Sequence, residues 1–168
     1  MKERNEKRAQ IDLSFGMIFS IILIICFVVF AFYVINNLLR TKGTTEAAIF
    51  AGDLQDKVNE FWTSSGGSET TSFNVPQKTE KICFIDFSSP STISSEIYEE
   101  FERISEKEND LIFYPRDSAK GFNSVKIDNI NLEQITATEN PYCIPTKDSK
   151  VTLKIKKDFN EKLVMITR

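Results

Sequence analysis

The sequence predicts an α+β protein: a long N-terminal helix, membrane-spanning and then amphipathic, followed by a small antiparallel β-rich domain with one additional helix. Three observations predict it. Residues 17–35 run nineteen positions without a charge or a proline. Residues 44–62 repeat apolar side chains at helical spacing. Beyond residue 72, short runs rich in aromatic and β-branched residues are separated by turn-forming Ser, Pro and Asn.

The apolar stretch covers 13–39, with Ser20 its only hydroxyl between Met17 and Tyr33. About twenty apolar residues cross a bilayer core as a helix, at roughly 1.5 Å each. Lipid leaves backbone groups no outside partner, so a lone span must be helical. A buried soluble helix would keep a polar stripe, and this one has none. Cys26, inside the span, reads as ordinary packing.

The flanks set an orientation. Lys2, Arg4, Lys7 and Arg8 precede the span, and only Arg40 and Lys42 follow it closely. Cationic residues stay on the cytoplasmic side. The N-terminus is therefore expected inside, and the domain beyond residue 41 outside. A secretory signal would have a shorter apolar run and a small-residue cleavage site after it. The sequence here continues NNLLRTKGTTEA, so the span is expected to be retained.

The junction of Lys7, Arg8, Ala9, Gln10, Ile11, Asp12, Leu13 and Ser14, leading straight into the apolar helix, resembles archaeal type IV pilin-like precursors. The resemblance covers residues 7–39, about a fifth of the chain. It implies that a prepilin peptidase cuts on the cytoplasmic side of the span, after a basic residue plus Gly or Ala. Arg8 and Ala9 match that site, so residues 1–9 become a cytoplasmic leader and the mature chain starts at Gln10. The leader holds four basic and two acidic residues, so its removal takes the net charge from -3 to about -5. One branch of the family follows the first Gln with a hydroxyl two positions on and an acid two further on. Here Asp12 and Ser14 hold those positions with the two chemistries interchanged. The resemblance further implies that the retained helix packs against copies of itself or other pilin-like subunits, in a surface filament or pseudopilus. Asp12 then pairs with the new amine of a neighbour, and Ser14, Gly16 and Ser20 allow close helix approach. A plainer role for Asp12 is a polar helix start favoured by capping and the macrodipole.

The second half of the helix, 44–62, carries apolar residues at Ala47, Phe50 or Ala51, Leu54, Val58, and Phe61 with Trp62, the spacing of an amphipathic helix. Gly43 and Gly52 weaken it without ending it. One long helix is expected over 10–63, its stretch from about Asp12 to Thr63 being about 75 Å long; a break near Gly43 is the alternative. Ser64, Ser65, Gly66, Gly67 and Ser68 open a predicted flexible linker over 64–71.

The exported domain is expected over 72–168. Strands are predicted at 72–76, 81–87 and 111–114, with an alternating stretch at 124–130. A helix is predicted over 94–110, with Ile97, Phe101 and Ile104 on one face. Residues 140–145 read as irregular. Residues 151–156 and 163–166 read as a terminal hairpin with one buried face. Cys83 and Cys143 predict one disulfide in a small exported domain. It would close a loop of about sixty residues, worth about 2–4 kcal/mol, and tie the 81–87 strand to the terminal sheet. Two buried free thiols would instead mark a cytoplasmic domain.

The composition restricts the chemistry. No histidine occurs, which removes the commonest general base, the usual triads and most zinc sites. A net charge of -3 and a pI near 5.2 give no support for nucleic-acid binding. Glu96, Glu99, Glu100 and Glu102 read as a solvated helix face. Asp110, Asp117 and Asp128 lack calcium-loop spacing. No phosphate loop or nucleophile motif occurs. Trp62, Tyr98 and Tyr114 suit core packing better than a binding surface. No catalytic residue, metal ligand or cofactor is therefore expected. The expected partners are membrane lipid, the peptidase and other subunits, with no nucleic acid. The rival reading is a single-pass anchor holding a binding or sensor domain outside the membrane without polymerising.

Overall fold

The computed structural model describes residues 15–92, 96–103 and 107–168. Helix α1 (Phe15–Thr63) runs 49 residues, through both Gly43 and Gly52. The chain divides into two units, residues 1–39 and 40–168. The described part of the first is the apolar part of α1 and is taken up below. The second is a small antiparallel β domain built around the rest of α1.

Among the described residues seven strands follow: β1 (Gly67–Asn74), β2 (Lys81–Phe84), β3 (Leu111–Tyr114), β4 (Ser124–Val125), β5 (Tyr142–Pro145), β6 (Lys150–Lys157) and β7 (Met165–Thr167). They form a three-stranded sheet, β1-β6-β7, and a four-stranded sheet, β4-β3-β2-β5. All pairings between these strands are antiparallel. Helix α2 (Glu96–Glu102) and the single turn α3 (Leu132–Ile135) complete the described elements.

The predicted stripe of α1 is the core. Ala47, Phe50, Leu54, Val58 and Phe61 pack with the inward residues of both sheets, among them Phe73, Phe84, Phe113 and Leu153. Phe50 meets Phe73 and Phe113 edge to face, with ring centroids 5.9 and 5.6 Å away. Alternation along β2 divides the work. Ile82 and Phe84 join the α1 core, while Cys83 and Ile85 face Tyr98 and Phe101 of α2. The four-stranded sheet is thus covered on both faces.

Polar clamps fix α1 in this domain. Gln55 accepts from the Asp128 amide at 2.8 Å and donates to Asn59 at 3.0 Å, which in turn accepts from Asn129 at 3.2 Å. Lys157 donates to the carbonyls of Trp62 and Ser64, a cation on the unpaired carbonyls at the helix C-terminus. Gly43 is a close approach rather than a break: a Cβ there would lie 2.7 Å from the Lys120 side chain.

Several expectations are corrected. Residues 64–71 are no linker, because β1 begins at Gly67 and pairs with β6 from Lys157 onward. The two glycines take positive φ (141° and 153°), and a Cβ at Gly66 would lie only 3.2 Å from the Lys157 carbonyl oxygen, so they make a tight turn. The helix expected over 94–110 is observed as Glu96–Glu102, with residues 93–95 and 104–106 outside the described set. Only Ser124–Val125 of 124–130 pairs as strand. The segment read as irregular contains β5, and one more helical turn, α3, is present than expected. Asn131 caps α3 by accepting from the Gln134 amide at 3.1 Å.

Candidate membrane and assembly segment

Within the first unit, α1 presents apolar side chains all round. Seventeen large ones between positions 17 and 39 are at least 39% exposed. Holding so many in water would cost on the order of tens of kcal/mol, at roughly 1.5–3 kcal/mol each. No soluble surface carries such a patch without a partner. The segment is long and apolar enough to span a membrane. The Ser20 hydroxyl needs no outside partner, since its Oγ donates to the Gly16 carbonyl at 2.8 Å. Gly16 lies at the start of this helix, on the exposed surface. The expectations placed on Arg8, Ala9, Gln10, Asp12 and Ser14 fall outside the described residues.

The head domain holds the predicted disulfide. Cys83 and Cys143 sit directly opposite in the β2–β5 register and are bonded, with Cα atoms 4.0 Å apart. The bridge joins two neighbours of the four-stranded sheet and not, as expected, the 81–87 strand to the terminal hairpin, which belongs to the other sheet.

Two buried polar groups order the loops around that sheet. Asn140, 1% exposed, accepts from the Asp86 amide at 3.1 Å and donates to the carbonyls of Asp86 (2.8 Å) and Ser89 (3.1 Å). Burial pushes the Asp86 carboxyl up, but hydrogen bonds from Ser88 and Ser89 outweigh it and hold it below the usual range. Asp110, 7% exposed, accepts from the Ile127 amide at 2.8 Å. Burial dominates there and pushes it up to about 7. Both act on backbone, tying loops to strand ends. Asn140 sits between two chain turns, where nothing in its neighbours' spacing marks it; the run before Asp110 reads as helix, which hid its burial.

On α2, Glu96, Glu99 and Glu102 are exposed, as expected of a solvated face, and Glu100 is half-buried. Asp117 and Asp128 are exposed as well, and do not gather with Asp110. Tyr98 is buried and donates to the Ser89 carbonyl at 3.0 Å, whereas Trp62 stays 44% exposed. Among the described residues, no three His, Cys, Asp or Glu side chains are grouped to hold a metal ion. No protein-family model, curated protein or solved structure matches the chain.

Proposed function

We propose that the chain is a non-enzymatic, type IV pilin-like subunit. It is processed after Ala9, held in the membrane by the first half of α1, and able to pack through that half with copies of itself or related subunits. The observation that carries the reading is the all-round apolar surface between 17 and 39 on a helix whose next turns become the spine of a small β head. A helix with no polar face needs lipid or other helices on every side. The Cys83–Cys143 bond fits an oxidising compartment, and hence a head outside the cell with the N-terminus inside.

Intact mass and N-terminal sequencing of the native membrane protein test the processing step. The expected chain starts at Gln10. Cross-linking in membranes, followed by sedimentation of extracts, tests assembly. A chain that retains Met1 and sediments as a monomer would refute the filament reading and leave a simple anchor.

A further inference from the structure

The two sheets of the head differ on their outer faces. The outer face of the four-stranded sheet is covered by α2. That of the three-stranded sheet is open, and its side chains follow from the register. Ser68, Thr70 and Ser72 of β1 stand opposite Lys156, Lys154 and Thr152 of β6, and Asn74 stands opposite Lys150. On the far side Lys154 and Lys156 face Thr167 and Met165 of β7. Inward positions of the same strands hold Phe73, Val151, Leu153 and Ile155. Alternation therefore sorts lysine and hydroxyl residues onto one flat surface.

The charge on this surface is one-sided, although the chain as a whole is acidic. None of the paired positions above holds a carboxylate. Lys150 and Lys154 make no ion pair among the described residues, and Lys156 pairs with Asp158 at 2.7 Å only at the sheet's end. Toward the other end the face runs into a cavity of about 650 Å³, where Lys147, Lys150 and Arg168 stand near Ser72 and Thr152, with Asp148 the one acid. Arg168 is held there, 5.6 Å over the Tyr142 ring and 3.9 Å from Glu139.

We infer that the outer face of the β1-β6-β7 sheet docks an extended acidic polysaccharide, its carboxylates or sulfates on Lys150, Lys154 and Lys156 and its hydroxyls on the interleaved Ser and Thr. Complementary charge recruits the polymer. Alternate residues on a strand lie about 6.6 Å apart and neighbouring strands about 4.8 Å, so charged and hydroxyl contacts recur at the scale of single sugar rings. The face lacks the features other polyanions require. None of the paired strand positions holds an aromatic side chain on this face, and the exposed Phe159 stands alone past the end of β6, so there is no stacking platform for a single-stranded nucleic acid. Among the outward paired positions Met165 is the one large apolar side chain, so the strands present no apolar row to a lipid interface. The inference stands on the head alone and holds whether or not the chain polymerises.

The test uses the full chain in nanodiscs of zwitterionic lipid, titrated with polygalacturonate. Binding is expected to weaken with salt, and dextran is expected not to bind. Lysine-specific acylation is expected to show Lys150 and Lys154 protected by the acidic polymer. Lys150→Glu with Lys154→Glu is expected to lower affinity at least tenfold. Lys150→Thr with Lys154→Thr, which keeps good strand formers, is expected to lower it nearly as far. Lys107→Glu with Arg116→Glu, outside this sheet, is expected to leave affinity within twofold. Four results would each overturn the inference: no binding of polygalacturonate, equal loss in the control pair, tighter binding of a single-stranded oligonucleotide, or protection of both lysines by anionic-lipid nanodiscs without polymer.

Discussion

Replacing Asp110 by Asn should reshape the head's stability against pH. The carboxyl is buried at the start of β3, with its oxygen on the Ile127 amide. The residue's backbone also binds both neighbours: its amide donates to the Val125 carbonyl at 3.3 Å, and its carbonyl accepts from Ile85 at 2.8 Å. Lys126 and Asp128 act on it with opposite signs, and burial decides the outcome, raising its pKa from 3.8 to about 7. A group whose folded pKa lies above its unfolded one binds protons more strongly when folded. Its contribution is fully present below the unfolded value, near pH 4, and is lost as pH rises to about 7. At 1.36 kcal/mol per pH unit the loss is about 4 kcal/mol. Asn keeps an oxygen for the Ile127 amide and carries no charge, so the variant should be several kcal/mol more stable at pH 8 and only about 1 kcal/mol more stable at pH 4.5. Urea unfolding of the full chain in micelles at pH 4.5, 6 and 8 measures this, with the fluorescence of Trp62, the single tryptophan, as the signal. Parallel pH profiles for wild type and variant would refute the reasoning.

Removing the disulfide as Cys83→Ala with Cys143→Ala should cost about 2–4 kcal/mol for its sixty-residue separation, read in the same urea titration under non-reducing conditions. Gly52→Ala should add about 1 kcal/mol, because the site is helical and a Cβ meets nothing within 4 Å; an unchanged midpoint would count against a continuous helix there. Asn140→Leu should lose about 2–4 kcal/mol by leaving the Asp86 amide and carbonyl without their buried partner, while the Ser89 carbonyl keeps the Tyr98 hydroxyl, and amide exchange at Asp86 should accelerate.

The sequence reveals those parts of the fold where one periodicity dominates over several turns or residues. The stripe from Ala47 to Phe61 and the alternation of β6 are read directly, because each places every second or every third-to-fourth side chain in a single core. The failures lie where pairing overrides local preference. Gly66 and Gly67 resemble a flexible spacer, yet β6 supplies a partner for the strand that starts there. Tyr142 to Pro145 resembles a loop because of its prolines, yet β2 fixes it as an edge strand, where a proline's missing amide is tolerated. The disulfide was predicted from two cysteines, but which strands it joins depends on sheet order, which no local pattern carries. The lysines of β6 were legible as outward residues; that β1 sets hydroxyls beside them is a fact of register.

The two halves of α1 answer to different surroundings, and this bears on assembly. Ala47 to Phe61 buries one stripe in the head, so its composition is fixed by protein packing. Between 17 and 39 no stripe is distinguished, so lipid and a neighbouring apolar helix are nearly equivalent solvents for these side chains. Under the proposed reading, moving the helix from bilayer to filament then changes little in transfer free energy. What favours one state over the other must be packing and polar contact at a few positions, since helices in apolar surroundings associate through close approach and hydrogen bonds. The small residues Gly16 and Ser20 are suited to such approach, and Ser20 already spends its proton on the Gly16 carbonyl. Asp12 and the amine that cleavage would create at Gln10 are then the strongest polar pair available, so processing, rather than apolarity, would switch the chain from anchor to subunit. A Gln10→Ala change should leave membrane insertion intact, whereas Asp12→Asn should reduce cross-linked multimers without releasing the chain from the membrane; loss of both together would refute the division of roles.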